Sequence, residues 1–273
     1  MKTAIDPFRD IDREPDPQRY VESLEARGRM KSQTQLRRRF LNFARIKAGS
    51  RVLEVGSGTG VVCRDLARIV GPQGAVVGVD PSRVFVEAAR RLARKQRMGS
   101  RTRFEVGDGK RLRFRDGTFD ATLAVTVLLH LSNPVAVLRE MIRVTRPGGV
   151  VGVQDQDFGT LVLDHPDRAL TRRILNGVAG RIYADPWSGR TMFGLLRRLG
   201  LKRIRLITDV YQDTQLGAWT RSTLERRAEH AVKLQIVGVR QARQWLQAIE
   251  SKAHEGTFVF TLNFYGVVGV KPP

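Results

Sequence analysis

VLEVGSGTG, residues 52–60, reads as an apolar strand carrying an acid at Glu54 and leaving through three alternate glycines, Gly56, Gly58 and Gly60. A chain that leaves a buried strand through such a loop exposes bare main chain, because glycine has no side chain to keep a ligand away from backbone atoms. The spacing discriminates between loop types. A dinucleotide fingerprint, G-x-G-x-x-G, requires glycine at position 61, where this chain has Val61. The loop is therefore of the G-x-G-x-G form behind an acid.

Outward from that loop the pattern alternates. Strands are expected at 51–55, 75–79, 102–106, 119–125 and 150–154, with helices at 60–70, 82–97 and 134–145. In the second helix Val84, Ala88, Ala89 and Leu92 share one face while Arg90, Arg91, Arg94 and Lys95 fall elsewhere. Such alternation predicts a parallel sheet covered by helices on both faces. Pro147-Gly148-Gly149 is expected to end the third helix and turn the chain into the next strand. Before the first strand, residues 1–17 read as a loosely held arm and residues 18–46 as two helices. Beyond residue 155, a long insertion at 156–189 should hold a helix near 166–183. A helix at 190–200 and a strand at 202–210 follow, then helices near 218–235 and 239–253 and a last strand at 257–270. The helical pair between the final strands reads as a cap over the sheet's end, with Trp187, Trp219, Trp245 and Phe264 in its core. Three regions result: an arm with helices (1–50), a core (51–155) and the rest of the sheet with cap insertions (156–273).

Composition narrows the function class. The chain has 273 residues, 41% of them hydrophobic, and one cysteine, Cys63. That excludes an intramolecular disulfide and a cysteine-cluster metal site. No metal site is expected from His165, His230 and His254, which are scattered. The apolar runs at 119–131 and 258–270 are too short for a membrane helix, which needs about 20 residues. No secretory signal is visible, so a cytoplasmic location is expected. The formal charge is +21, with 39 arginines and 9 lysines. A field of that sign favours acidic partners: nucleic acid, an anionic small molecule or an anionic surface. The basic residues are dispersed, however, and the runs Arg37-Arg38-Arg39 and Arg90 to Arg97 lack the interleaved aromatics of a stacking platform. Nucleic acid is the less favoured substrate.

Chemistry-bearing residues follow the glycine loop in order. Asp80, closing the second strand, can accept two hydrogen bonds from a ribose diol, with Pro81 and Ser82 on the turn behind it; the competing role for this turn is an N-cap of the next helix. Asp108, between Gly107 and Gly109, can accept from an adenine amino group or simply make a tight turn. The strand ending at Ala124 and Val125 should pass beside the remaining part of such a ligand. His130 is placed to act as a general base, or as a structural histidine. Asp155 and Asp157, expected just after the fifth strand, could hold a cationic or hydroxylated acceptor or cap the next element.

Together, VLEVGSGTG, GVD at 78–80, VGDGKRLRF at 106–114, FDATLAVTVLLHL at 119–131 and RPGG at 146–149 resemble the motifs of the class I S-adenosylmethionine (SAM) methyltransferases, over residues 35–155. The closing GTFVFTLNFYGVVGVKPP is similar to the last strand of the UbiE-like small-molecule branch. The resemblance implies a Rossmann-like, mostly parallel seven-stranded sheet whose last strand is antiparallel. It implies Glu54, Gly56, Ser57, Gly58 and Gly60 around the methionine moiety of SAM, Asp80 at its ribose, and Asp108 with Gly109 at its adenine. The Asn-Pro-Pro-Tyr type of tetrapeptide that marks methylation of nucleic acid bases is absent; AVTV stands there. The leading expectation is a SAM-dependent methyltransferase acting on oxygen, nitrogen or carbon of a small organic acceptor, with S-adenosylhomocysteine as product. An RNA methyltransferase and a SAM-binding protein without turnover are the other two readings.

Overall fold

A computed structural model describes residues 6, 8 and 10–273. Residues 1–5, 7 and 9 of the arm lie outside the described residues. Two helices, α1 (Gln18–Arg29) and α2 (Lys31–Ala44), lead into β1 (Arg51–Val55). Then follow α3 (Val61–Val70), β2 (Ala75–Asp80), α4 (Arg83–Lys95), β3 (Thr102–Val106), β4 (Phe119–Val125), α5 (Pro134–Val144) and β5 (Thr145–Leu163). The remainder is α6 (Arg168–Ile182), α7 (Ser188–Arg198), β6 (Lys202–Asp213), α8 (Ala218–Lys233), α9 (Val239–His254) and β7 (Phe260–Val270).

The seven strands form one sheet in the order β3-β2-β1-β4-β5-β7-β6. Strands β1 to β5 pair in parallel, and β7 runs antiparallel to both β5 and β6. The order reverses beside β1, and in open α/β sheets ligands bind at the strand ends near such a switch point. Alternation along each strand feeds two cores. Val52 packs with α2, α3 and α4 residues such as Phe40, Leu66 and Val86, while Leu53 and Val55 pack with Leu138 and Met141 of α5 and Met192 of α7. A third core joins α6, α8 and α9 to the far ends of β5 and β7 around Trp245, which is fully buried and donates from Nε1 to Thr171 Oγ1 at 3.0 Å.

Several expectations are corrected. The arm is not loosely held where it is described: Ile11 is buried against Val21, Phe85 and Ala88. Asp12 accepts from the backbone N–H groups of Arg83 and Val84 and from Ser82 Oγ, satisfying donors that the first turn of α4 leaves free. Pro147-Gly148-Gly149 does not separate helix from strand. Thr145 already pairs with Phe119, and the three residues form an irregularity inside β5 before Val150 meets Ala121. Nor does β5 stop at 154: it runs on to Leu163, crossing the expected 155/156 boundary, because β7 offers it a partner as far as Phe260. Between Asp157↔Asn263 and Val162↔Thr261, β5 carries extra residues as a bulge. Of the four aromatics assigned to the cap core, Trp245 and Phe264 are buried, Trp219 is partly buried, and Trp187 is exposed.

Candidate functional site

The glycine loop adopts a conformation that other residues resist. Gly56, Gly58 and Gly60 have φ of 71°, 49° and 78°, in the left-handed region where a Cβ is strained. Backbone N–H groups of Gly56 and Ser57 both donate to Val79 O, at 2.8 and 3.1 Å, so the loop folds back across the end of β2. Gly56, Ser57 and Gly58 line a cavity of about 1310 Å³ at the strand ends. Gly60 does not line it. A Cβ there would come within 2.7 Å of the Phe104 ring, so this glycine lets α3 start tight against β3.

Of the acids that line the same cavity, three stand at or beside the glycine loop and strand ends: Asp80, Glu54 and Asp108. Asp80 is 7% exposed and binds the loop directly: Oδ2 accepts from Gly58 N at 2.7 Å and Oδ1 from Ser82 N at 2.9 Å. Burial pushes its carboxyl up to about 6, against the lowering effect of those two N–H groups. A carboxylate has about four lone-pair sites, so two remain for a ligand. Glu54 is almost wholly buried, and Cys63 Sγ donates to its Oε2 at 2.9 Å. Burial pushes its carboxyl up to about 8, with Asp80 nearby adding to the shift. Asp108 is exposed at the rim and accepts from Lys110 N at 2.9 Å, so it also shapes its own turn. Gly109 lines the wall beside it.

His130 also lines the cavity, at the end of a short 3₁₀ turn, Leu128–His130. Its Nδ1 lies 2.5 Å from Asp6 Oδ2 of the arm, and the Asp6 side chain is fully buried. Phe8 and Tyr183 pack near the ring, with centroids at 5.4 and 5.7 Å. The imidazole is thus fixed through one nitrogen, leaving Nε2 as the other ring site.

Some expected site residues lie elsewhere. Ala124 is fully buried in the core beneath the strand end, while its neighbour Val125 lines the cavity. Pro81 lines it too; Ser82 does not, and instead caps α4 by accepting from Phe85 N at 3.1 Å. Asp155 and Asp157 sit within β5 rather than after it, and strand alternation turns them away from the cavity that Gln154 and Gln156 line. Asp155 accepts from Leu129 N at 2.9 Å, which anchors the turn carrying His130. Asp157 is ion-paired with Arg190 of α7.

Other lining residues were not anticipated. Thr126, just past β4, has φ of 56°, a strained value for a β-branched residue. Its N–H donates to Gln154 O at 2.7 Å, which holds the β4 end open beside the loop. A second group of lining residues, Arg27, Gln33, Gln156, Phe158, Tyr183 and Trp219, is knit together by side-chain contacts. Phe158 stacks on Tyr183 at 4.8 Å with an interplanar angle of 1°. Helix α1 is held over the loop by a buried ion pair: Arg64 Nη2 reaches both Glu25 oxygens at 2.8 and 2.9 Å, and Thr59 Oγ1 donates to Glu25 at 2.6 Å.

A Methyltransferase domain family matches residues 52–149, the stretch from the glycine loop to Gly149. An uncharacterized 37.1 kDa protein of a Streptomyces fradiae transposon is 30% identical over 83% of this chain and 64% of its own length. The sterol 24-C-methyltransferase of Aspergillus fumigatus is 34% identical over 40% of this chain and 29% of that enzyme. Among solved structures, the YcgJ protein of Bacillus subtilis superposes with a TM-score of 0.59 at 18% identity, covering 87% of this chain and 98% of that one. The chain thus spans less than two thirds of the curated relatives' length. Residues 52–149 match a methyltransferase domain, and the sheet has the fold of the solved YcgJ protein.

Proposed function

We propose that the protein transfers a methyl group from SAM to a small organic acceptor, and that the single cavity holds both molecules. The observation that carries this reading is the cavity's size, about 1310 Å³, when one drug-sized ligand pocket occupies roughly 300–1,000 Å³; we divide it into a cofactor and an acceptor compartment. One compartment has the acids and bare backbone that suit a sugar, an amine and a purine. The other is aromatic and amide-lined, as a separate organic molecule needs.

In this reading Glu54 and the Gly56–Gly58 backbone take the methionine part, Asp80 the ribose hydroxyls, and Asp108 with Gly109 the adenine edge; Val125 and Thr126 border the reacting centre. When bound, SAM supplies an electrophilic methyl on a sulfonium. The chain's task is then alignment of the acceptor and exclusion of water, and positioning alone is worth several kcal/mol. His130, oriented by Asp6, takes the acceptor proton at Nε2 where the acceptor must lose one, the usual division of labour between a base and the group that orients it. An anionic acceptor fits the formal charge of +21. Helix α8 with Trp219, Tyr183 just after α6, and Arg27 and Gln33 of α1 and α2 supply the acceptor side, and residues 51–155 supply most of the cofactor side.

The test is transfer of labelled methyl from SAM to pooled metabolites, with RNA as a parallel arm. Labelled small molecules with wild type and none with Asp80→Ala support the reading. Label appearing only in RNA, with steep salt dependence, or SAM binding without any transfer, refutes it.

A further inference from the structure

The cavity's acceptor compartment contains a cation that the protein itself does not neutralise. Arg27, on α1, is partly buried, and what surface it keeps faces the cavity. Its Nε donates to Gln33 Oε1 and its Nη2 to Gln156 Oε1, each at 3.3 Å. Both bonds are longer than the usual 2.7–3.2 Å range for N–H···O, and both acceptors are neutral amides. No carboxylate lies within ion-pair distance of Arg27 among the described residues.

Its neighbours are treated differently. Arg64, on the other side of α1, is held by both oxygens of Glu25. Arg37, another lining residue, is paired with Asp65 at 2.6 Å. Arg227, buried and also without an acid, donates from Nη1 to Thr223 O at 3.1 Å, lies over the Phe158 ring and does not line the cavity. Arg27 stands instead beside the Trp219 ring, 5.4 Å from its centroid, where burial has pushed its guanidinium down to about 10. It remains charged at neutral pH. A buried charge without a partner is costly, and a ligand that supplies the partner recovers that cost on binding. A second observation points the same way. The amide nitrogens of Gln33 and Gln154, both at least nine-tenths buried in the wall, have no hydrogen-bond partner among the described residues.

We propose that Arg27 is the specificity-determining residue of the acceptor site, and that it docks a carboxylate of the methyl acceptor. The acceptor is then a small carboxylic acid whose apolar or aromatic body lies against Phe158, Tyr183 and Trp219. A guanidinium meets a carboxylate through a planar fork, and the Gln33 and Gln156 amides hold that fork in place. Arg226 also lines the cavity without a paired acid among the described residues, but it is exposed and donates from Nη1 to Ser222 Oγ at 2.7 Å, which leaves Arg27 as the more buried cation awaiting a partner. This rests on the reading of the cavity as a methyltransferase site.

The experiment uses the whole chain saturated with S-adenosylhomocysteine. It is mixed with a pool of small carboxylic acids, their primary amides and phosphate monoesters on the same skeletons, and retained compounds are identified by mass. Wild type should retain acids over matched amides by about tenfold or more, as loss of a charge-assisted bond implies. Arg27→Gln should bring the two to parity while its affinity for S-adenosylhomocysteine stays within about twofold, since the cofactor contacts lie elsewhere. Arg27→Lys, which keeps the charge and loses the fork, should show a reduced preference for acids and guards against misfolding of the first variant. Equal retention of acids and amides by wild type overturns the proposal. So does an acid preference that survives Arg27→Gln, phosphate monoesters retained ahead of acids, or a pool from which nothing is retained. Absence of S-adenosylhomocysteine binding to wild type would bring down the methyltransferase reading as well, whereas the other results remove Arg27's role alone.

Discussion

Glu54→Gln should stabilise the ligand-free protein increasingly as pH rises, although it removes a residue of the candidate site. Burial holds the Glu54 carboxyl at about 8 in the folded chain, against an ordinary value of 4.5. A carboxyl raised on folding binds more protons folded than unfolded, so its contribution to stability falls as pH climbs from the unfolded value to the folded one. Integrated between pH 5 and pH 8, the loss is about 3 kcal/mol. Glutamine does not titrate, and its own packing cost is the same at both pH values. The stability difference between variant and wild type should therefore widen by that amount. At about 2–4 °C per kcal/mol for a chain of this size, the gap in Tm should grow by roughly 6–12 °C. Thermal unfolding of both proteins at half-unit steps from pH 5 to 8 measures it. Saturating S-adenosylhomocysteine should shrink the widening, because its ammonium group gives the carboxylate a partner. A Tm gap that stays constant across the range refutes the reasoning.

Asp80→Asn should weaken S-adenosylhomocysteine binding roughly 10- to 100-fold by calorimetry, the worth of hydrogen bonds to a charged acceptor. With the wild-type carboxyl at about 6, affinity should be full above that pH and decline below it; equal affinity at pH 5 and 7.5 would show the ionised form is not needed. Gly60→Ala should cost about 2–4 kcal/mol in urea unfolding, combining a left-handed φ with overpacking against Phe104, and a loss below 1 kcal/mol would contradict that tight start of α3. Arg64→Met strands the buried Glu25 and should cost about 3–5 kcal/mol, which restoring the balance with Glu25→Gln in the same chain should partly recover.

What the sequence revealed was local. A strand, three glycines and an acid at the next strand's end are contiguous signals, so the part of the cavity proposed for SAM could be read from Glu54, Gly56 to Gly58, Asp80 and Asp108. Its other side could not. Arg27 and Gln33 lie on helices whose amphipathic pattern says which face is apolar, not which end overlooks a cavity. Asp6 meets His130 across 124 positions of chain, and no spacing rule reaches that far. The overrun of β5 was hidden because its second half has no partner within the local sequence; only β7, about a hundred residues on, makes it a strand. That error carried Asp155 and Asp157 onto the wrong face, since one strand position decides inward or outward.

The bulge in β5 between Asp157 and Val162 has a consequence for how such a chain diversifies. Phe158, at its start, lines the cavity on the side proposed for the acceptor, while pairing resumes on both flanks. Residues gained or lost in this short excursion would be absorbed there, leaving the hydrogen-bonded ladders on either side untouched. If the proposed roles hold, a lineage would retune which molecule it accepts by editing a few codons here, with the glycine loop and Asp80 inherited unchanged.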